Sequence, residues 1–285
     1  MVTVNSVSGG KTSSYIAKHY PADFNIFALV TTNKKNCLYP DKKIRQIVSD
    51  KIGKEFIGTL EMDIIIKTML DLEQFIGNKI TWVAGAPFEE VINNKGGYLP
   101  NVLTRYCTTH LKMEPIFNFW RNNINEVVDM RIGFRANEQS RAKTMLEKLN
   151  EDGVSEYKAI VGRSKNGTQN TWANIPWRIP SFPLIKDLIY RDQIEKYWTD
   201  KKIPFAELNN CVGCFHRSPL LLKKLWNTHE NKMQFFSDQE GGKNGYWRKD
   251  KLTYADIKKA LTQIELNFDD FNTDEYGCDS GACGV

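Results

Sequence analysis

The sequence predicts an α/β fold, a doubly wound and mainly parallel sheet followed by a mostly helical, cysteine-bearing C-terminal region. Three observations carry this reading. Apolar runs of strand length alternate with helical patterns through the first half of the chain, as strand–helix–strand units require. The first strand runs into a glycine turn and then a helix. Beyond residue 182 the strand-like runs give way to helices and irregular segments.

Met1 to Val7 alternate β-branched and small residues, and Ser8, Gly9 and Gly10 break that pattern before TSSYIAKHY reads as a helix. Further strands are predicted at NIFALVTT (25–32), FIGT (56–59), ITWVAG (80–85) and VVDMRIGF (127–134). Helical patterns such as IRQIVSDKIG and MDIIIKTMLDLEQFI separate them, which favours right-handed crossovers and parallel pairing. FPLIKDLIYRDQIEKYWTDKKIPF (182–205) opens the helical region, GGKNG (241–245) reads as a loop and YADIKKALTQIEL as a late helix. We therefore expect an α/β domain over 1–205 and a region over 206–285 that folds onto it, with no internal repeat.

Composition narrows the class. With 285 residues, 41% apolar and 26% charged, the chain is long enough for a sizeable core and unlike a disordered or collagenous protein. The net charge of +5 permits a polyanionic partner without requiring one. Apolar stretches such as IFALV (26–30) fall far short of the roughly 20 residues that span a bilayer, so no membrane partner is expected. The N-terminus lacks a basic segment and a long apolar core, so a cytoplasmic location is expected. Six cysteines are too few for a disulfide scaffold and look more like metal or redox positions.

The sharpest local feature is Ser8, Gly9, Gly10, Lys11, Thr12 and Ser13 between the first strand and the first helix. Glycines let the backbone turn tightly and approach phosphate oxygens, while the helix start supplies amides and a positive dipole end. The GxxxxGK[ST] spacing of a Walker A loop is absent. The plain alternative is a glycine-rich turn with no ligand.

SGGKTSS after an N-terminal strand resembles the SGGxxS signature of the PP-loop ATP pyrophosphatases. RYCTTHLKMEPI (105–116), GFRANEQSR (133–141), and FPLIKDLIYRDQIEKYW with IPFAELNNCVGCFH (182–216) narrow the resemblance to the phosphoadenosine phosphosulfate (PAPS) reductase-like family. In the same order, they are similar to that family's Cys-x-x-x-x-Lys-x-x-Pro, Gly-x-Arg, and Pro-Leu-Ile helix leading into Gly-Cys-x-x-Cys. The resemblance covers about residues 1 to 216 and implies an adenine nucleotide alpha-hydrolase-like fold. Members that cleave ATP between its α and β phosphates keep Ser-Gly-Gly, as this chain does, so the resemblance implies ATP and Mg²⁺ as ligands and adenylation as the chemistry. Lys11 would neutralise the leaving phosphates, unless it is only a solvated surface lysine.

Arg135 and Arg141 flank Glu138 at the expected end of a strand. Two guanidinium forks there suit phosphate or sulfate, and the alternative is a capped helix with Arg141 in solvent. Lys112 is a similar candidate. Cys211 and Cys214 form a CxxC that can share a metal, a cluster face or a redox cycle. In adenylyl-sulfate reductases a Cys-Cys pair and a later CxxC hold a 4Fe-4S cluster, and the resemblance carries that role to Cys107, Cys211 and Cys214, with Tyr106 in place of one cysteine. The fourth ligand would be Cys278 or Cys283, or an exogenous sulfur, as tRNA-thiolating members of the superfamily suggest. A Zn²⁺ site from Cys211, Cys214, Cys278 and Cys283, free thiols, or a nucleophilic Cys283 in the tail are the rivals; Cys37 reads as a small buried residue. The aromatics of NTWANIPWRIP (170–180) and NGYWRKDK (244–251) beside basic residues either stack on unpaired bases or pack loops onto the core.

These readings lead to ATP-dependent adenylation coupled to sulfur transfer, with a nucleotide substrate, a nucleic acid or nucleotide as acceptor and a protein as sulfur donor. The alternatives are reduction of adenylyl sulfate or PAPS without ATP turnover, and a nucleotide-sensing, nucleic-acid-associated binding protein.

Overall fold

A computed structural model of the chain describes residues 1–164, 166, 168–241 and 245–260. Its first half follows the alternation read from the sequence: β1 (Thr3–Val7), α1 (Lys11–His19), β2 (Phe24–Ala28), β3 (Thr31–Thr32), α2 (Lys42–Ile52), β4 (Gly58–Thr59), α3 (Ile64–Ile76), β5 (Ile80–Val83) and α4 (Phe88–Asn94). Then α5 (Tyr106–Thr108) runs through a π-helical turn, Thr109–Met113, into α6 (Glu114–Asn123), and β6 (Val128–Arg131) and α7 (Gln139–Leu146) follow. A hairpin of β7 (Ser155–Arg163) and β8 (Asn170–Ser181) leads to α8 (Pro183–Lys186), α9 (Arg191–Trp198), α10 (Pro219–Thr228), α11 (Glu230–Asp238) and α12 (Tyr254–Lys259).

Six strands form one sheet in the order β5-β2-β1-β6-β8-β7. All neighbours are parallel except β7, which pairs antiparallel with β8. The chain winds outward from β1 through β2 to β5, then returns to place β6 on the other side of β1. The order therefore reverses between β1 and β6, and their carboxyl ends open a crevice where ligands of such sheets bind. Helices cover both faces. On one, α1, α3, α9, α10 and α11 bury Ile16, Met69, Trp198, Leu225 and Phe236 in a single cluster with Val7 and Phe27. On the other, α6 and α7 close over Met130 and Trp177 with Phe117, Trp120 and Met145. Leu208, Leu225, Phe236, Trp247 and Ile257, all beyond residue 205, thus share a core with the sheet.

Two strand expectations need correction. FIGT yields only the two-residue β4, which pairs antiparallel with β3 outside the main sheet, so NIFALVTT is split between two ladders. The β7–β8 hairpin was not read as strands, because its prolines and its polar, exposed β7 hide the alternation; β8 bears Pro176 and Pro180 near the sheet interior. Of the aromatics beside basic residues, Trp177 in β8 and Trp247 after α11 are each 1% exposed and belong to the core, whereas Trp172 in β8 is 52% exposed. Of the late helix, residues 254–259 are helical and 261 onward lie outside the described residues, as does the middle of GGKNG. Among the described residues, no helix is long and apolar enough to cross a membrane.

The C-terminal helices are held partly by a buried carboxylate. Glu240 accepts the Tyr254 amide at 2.6 Å, and the Tyr254 hydroxyl donates to the Gly213 carbonyl at 2.9 Å. Burial pushes the Glu240 carboxyl up to about 7. The native state therefore holds a proton that the unfolded chain releases near the ordinary carboxylate value. The corresponding stability is present below that value and is lost as pH rises through about 7. Glu240→Gln should stabilise the protein at pH 8 but not at pH 4, measured as the shift in urea midpoint against the unaltered chain. Equal midpoint shifts at both pH values would remove Glu240 as the cause.

Candidate functional site

Ser8 to Ser13 occupy the carboxyl end of β1 and the first turn of α1, at the sheet's reversal point. Gly9 has φ +80°, a conformation that side chains resist, and a Cβ there would lie 2.7 Å from Ile65 Cγ2. The turn is braced from within: the Ser8 amide donates to Ser13 Oγ at 3.0 Å, and Ser13 Oγ to the Gly10 carbonyl at 3.2 Å. Gly10 is the N-cap of α1 and no side chain caps the helix. The first-turn amides and the dipole thus point into the crevice, an arrangement suited to a phosphate oxygen.

Neighbouring segments close on this loop. A Cβ on Gly133 would lie 3.4 Å from Thr12 Cγ2 and 3.6 Å from the Ser13 amide, so the Gly-x-Arg segment after β6 abuts the start of α1. Lys11 Nζ donates to Glu195 on α9, an acid that sequence reading missed, and Trp198 Nε1 donates to the Lys11 carbonyl at 3.0 Å. Arg135 and Arg141 both grip Glu138, Arg135 through Nε at 2.9 Å. Burial alone would raise the Glu138 carboxyl, but the Arg135 amide and both guanidinium groups outweigh it and hold it below the ordinary range. Arg135 is buried and Arg141 lies over the Phe134 ring. The two forks therefore meet on an internal anion.

The thiols of Cys107, Cys211 and Cys214 line one small, mostly apolar cavity, walled by Val30, Phe88 and Trp247. Cys107 reaches it from α5, and the other two from the segment before α10. Burial, and then the neighbouring Cys214, pushes the Cys107 thiol up to about 11; burial, and then Glu61, pushes Cys211 up as well. Lys112, in the π-helical turn, donates to Glu61 Oε1 at 3.1 Å and to Asn210 Oδ1 at 3.2 Å. Burial favours its neutral amine, but Glu61 and the thiols outweigh that and keep the ammonium. Glu61 is 2% exposed, and its second oxygen has no hydrogen-bond partner among the described residues. Three sulfur donors in a pocket suit a soft or borderline metal, or an iron–sulfur cluster. Among the described residues, no group of three or more His, Cys, Asp and Glu is arranged as a finished metal cage. Cys283 and Cys278 lie outside the described residues, and Cys37 is buried but does not line this cavity.

Loop and thiol cavity are joined by one strap, residues 209–212. A Cβ on Gly10 would lie 2.7 Å from Asn209 Nδ2, so Asn209 rests against the loop. Asn210 receives Lys112, and Cys211 forms a β-bridge with Glu61, reinforced by the Val212 amide donating to the Leu60 carbonyl at 2.8 Å. The buried Arg217 donates to the carbonyls of Asn209 and Val212 at 2.6 and 3.2 Å. Asn209, Asn210 and Glu61 were missed by sequence reasoning. Only their position beside the CxxC and after FIGT marks them.

Glu195 competes with any anion for Lys11. Glu195→Gln should tighten Mg–ATP or Mg–pyrophosphate binding about two- to fivefold in calorimetry, since an exposed ion pair is worth about 0.2–1 kcal/mol. Weaker binding in this variant would show that Glu195 supports the ligand instead.

Compared with protein-family models, with curated proteins and with solved structures, the chain matches none.

Proposed function

We propose that this chain is a PP-loop enzyme of the PAPS reductase-like kind, with an adenine nucleotide alpha-hydrolase-like sheet, that activates an acceptor with ATP and passes sulfur to it. The observation that carries the reading is the strap: one tetrapeptide touches the phosphate-type loop at Asn209 and bears a thiol of the three-cysteine cavity at Cys211. Two sites with unrelated functions would have no reason to share it.

In this reading the α1 amides and Lys11, released from Glu195, would take the β and γ phosphates, and Mg²⁺ would supply further charge neutralisation for the leaving group. The acceptor oxygen attacks the α phosphorus, the bond to the β-phosphate oxygen breaks and pyrophosphate leaves; sulfide-level sulfur from the donor then attacks the activated acceptor carbon, its C–O bond breaks and AMP departs with that oxygen. The Gly133–Arg135 segment holds the start of α1 against this charge change. Cys107, Cys211 and Cys214 would hold a 4Fe-4S cluster, which supplies a site for sulfur, and Zn²⁺ is the alternative occupant with a structural role. The acceptor is a nucleic acid or nucleotide, and a protein donor is the source of sulfur. Cys283 remains a candidate fourth ligand.

Lys11→Ala should weaken Mg–ATP binding about tenfold, the scale of a lost charge-assisted hydrogen bond, while the exposed Lys143→Ala leaves it unchanged. Anaerobically purified protein should contain iron and sulfide together, both lost in Cys107→Ala, Cys211→Ala and Cys214→Ala. Sulfite release from PAPS without ATP turnover would establish the reductase instead, and stoichiometric zinc without sulfide the structural site.

A further inference from the structure

The β7–β8 hairpin outruns the sheet that carries it. β8 pairs with β6 over Arg178–Ser181, whereas its residues from Asn170 to Pro176 pair with β7 alone. At about 3.3 Å per residue this leaves a two-stranded arm about 20 Å long beyond the amino end of β6. One face of the arm packs on α6: Tyr157 stacks on Phe117 with ring centres 4.3 Å apart, and Ala159 is buried in the same cluster as Trp177. Arg121 of α6 donates to the Ile160 carbonyl at 3.3 Å. The arm is thereby held to the body of the protein.

Strand alternation sends Lys158 and Ile160 to the opposite face, with Asn174 and Trp172 across from them in the register. All four are exposed, as are Val161 and Arg163 further out. Ile160 and Trp172 are 43% and 52% exposed, so an open face has an apolar and aromatic centre where a merely solvated ribbon would be polar. The charge around that centre is of one sign. Glu156 is the only acid in either strand; it stands at the base of the arm and accepts from Asn150 Nδ2 at 3.1 Å. Beyond it the sequence has no Asp or Glu until Asp187. Among the described residues, no carboxylate pairs with Lys158 or Arg163.

We propose that this face binds an unpaired strand of nucleic acid, without regard to sequence or sugar. Every base has a π face for Trp172 and apolar contact for Ile160, while Lys158 and Arg163 meet phosphates. The one-signed charge selects a polyanion, and the exposed indole selects bases over a plain polyphosphate. Charged side chains on β7 also blunt it as an edge for a second copy. Trp172 stands about 30 Å along β8 from Ser181, which pairs with Arg131 at the carboxyl end of the sheet. A strand touching both the arm and the crevice therefore needs about nine stacked nucleotides at about 3.4 Å each, so a free nucleotide cannot reach both. That the bound strand is the acceptor rests on the proposed adenylation reading, whereas the binding itself rests on the arm alone.

The test titrates the full chain, by fluorescence anisotropy, with labelled oligothymidylate and oligouridylate of about 30 nucleotides and with a DNA duplex of the same length, and uses inorganic polyphosphate as a competitor. Both single strands should bind, more tightly than the duplex. Trp172→Ala should weaken them about tenfold and leave the affinity for polyphosphate unchanged, while Trp172→Phe keeps most of the binding. Lys158→Gln with Arg163→Gln should flatten the slope of log affinity against log salt by about 1.4, at about 0.7 per phosphate of a single strand. All three positions are exposed, and an unchanged thermal midpoint shows that the fold is intact in each variant. No single-strand binding, binding indifferent to Trp172→Ala, preference for the duplex, or a dimer in sedimentation that Trp172→Ala dissolves would overturn the assignment. Retained binding without pyrophosphate release from ATP would refute the adenylation reading and leave the assignment standing.

Discussion

The buried ion pair between Lys112 and Glu61 is the constraint on which the arrangement of the thiols depends. Glu61 lies at the end of β4 and bridges to Cys211 through its backbone; Lys112 lies one turn beyond Cys107. Their side chains are 3% and 11% exposed, so each charge depends on the other for its compensation. Such a pair adds little net stability, because desolvation offsets the attraction, but removing one member strands the other at a cost of about 3–5 kcal/mol. The pair therefore fixes relative position more than it strengthens the fold. It sets the helix bearing Cys107 against the strap bearing Cys211, and Asn210 extends the same contact toward the loop.

The segment around Lys112 is not regular helix. The π-helical turn Thr109–Met113 widens the backbone between α5 and α6, and such turns recur at functional sites. Here the turn serves two cavities: Leu111 and Lys112 line the thiol cavity, whereas His110 and Glu114 line a separate cleft beside β5. With ordinary helical spacing, fewer successive residues would diverge to two sides. Lys232 secures the other end of the arrangement, donating to the Glu61 carbonyl and to Asp63 at 2.7 Å.

How much of this was legible in the sequence follows from the range of the interactions involved. The loop was readable because a strand, Gly9, Gly10 and a helix are contiguous, and the backbone freedom that the turn needs leaves its mark in those glycines. The parallel sheet was readable from alternation for the same reason. The convergence of Cys107 with Cys211 and Cys214 was reached only through resemblance, since about a hundred residues separate them and nothing local announces their meeting. Glu195, Asn209 and Glu61 were invisible because an acid or an amide on a polar surface and one in a buried pair look alike until the fold supplies the partner. The β7–β8 hairpin failed for a different reason: Pro176 and Pro180 weigh against a strand, yet β8 accommodates Pro176 opposite Glu156 of the edge strand and Pro180 opposite Met130 of β6.

The strap also bears on how occupancy of one site would be felt at the other. Gly10 leaves no space for a Cβ beside Asn209, so the Asn209 side chain packs directly against the start of α1. Asn209 cannot move alone. Arg217 holds its carbonyl together with that of Val212, and the Leu60–Val212 hydrogen bond ties the next residues to the end of β4. Displacement is therefore passed along three residues to Cys211 or is resisted by all of these contacts at once, as in close-packed interiors generally. Either way the phosphate-type loop and the thiols behave mechanically as one unit, and the rigidity that unites them comes from Arg217, a residue that belongs to neither.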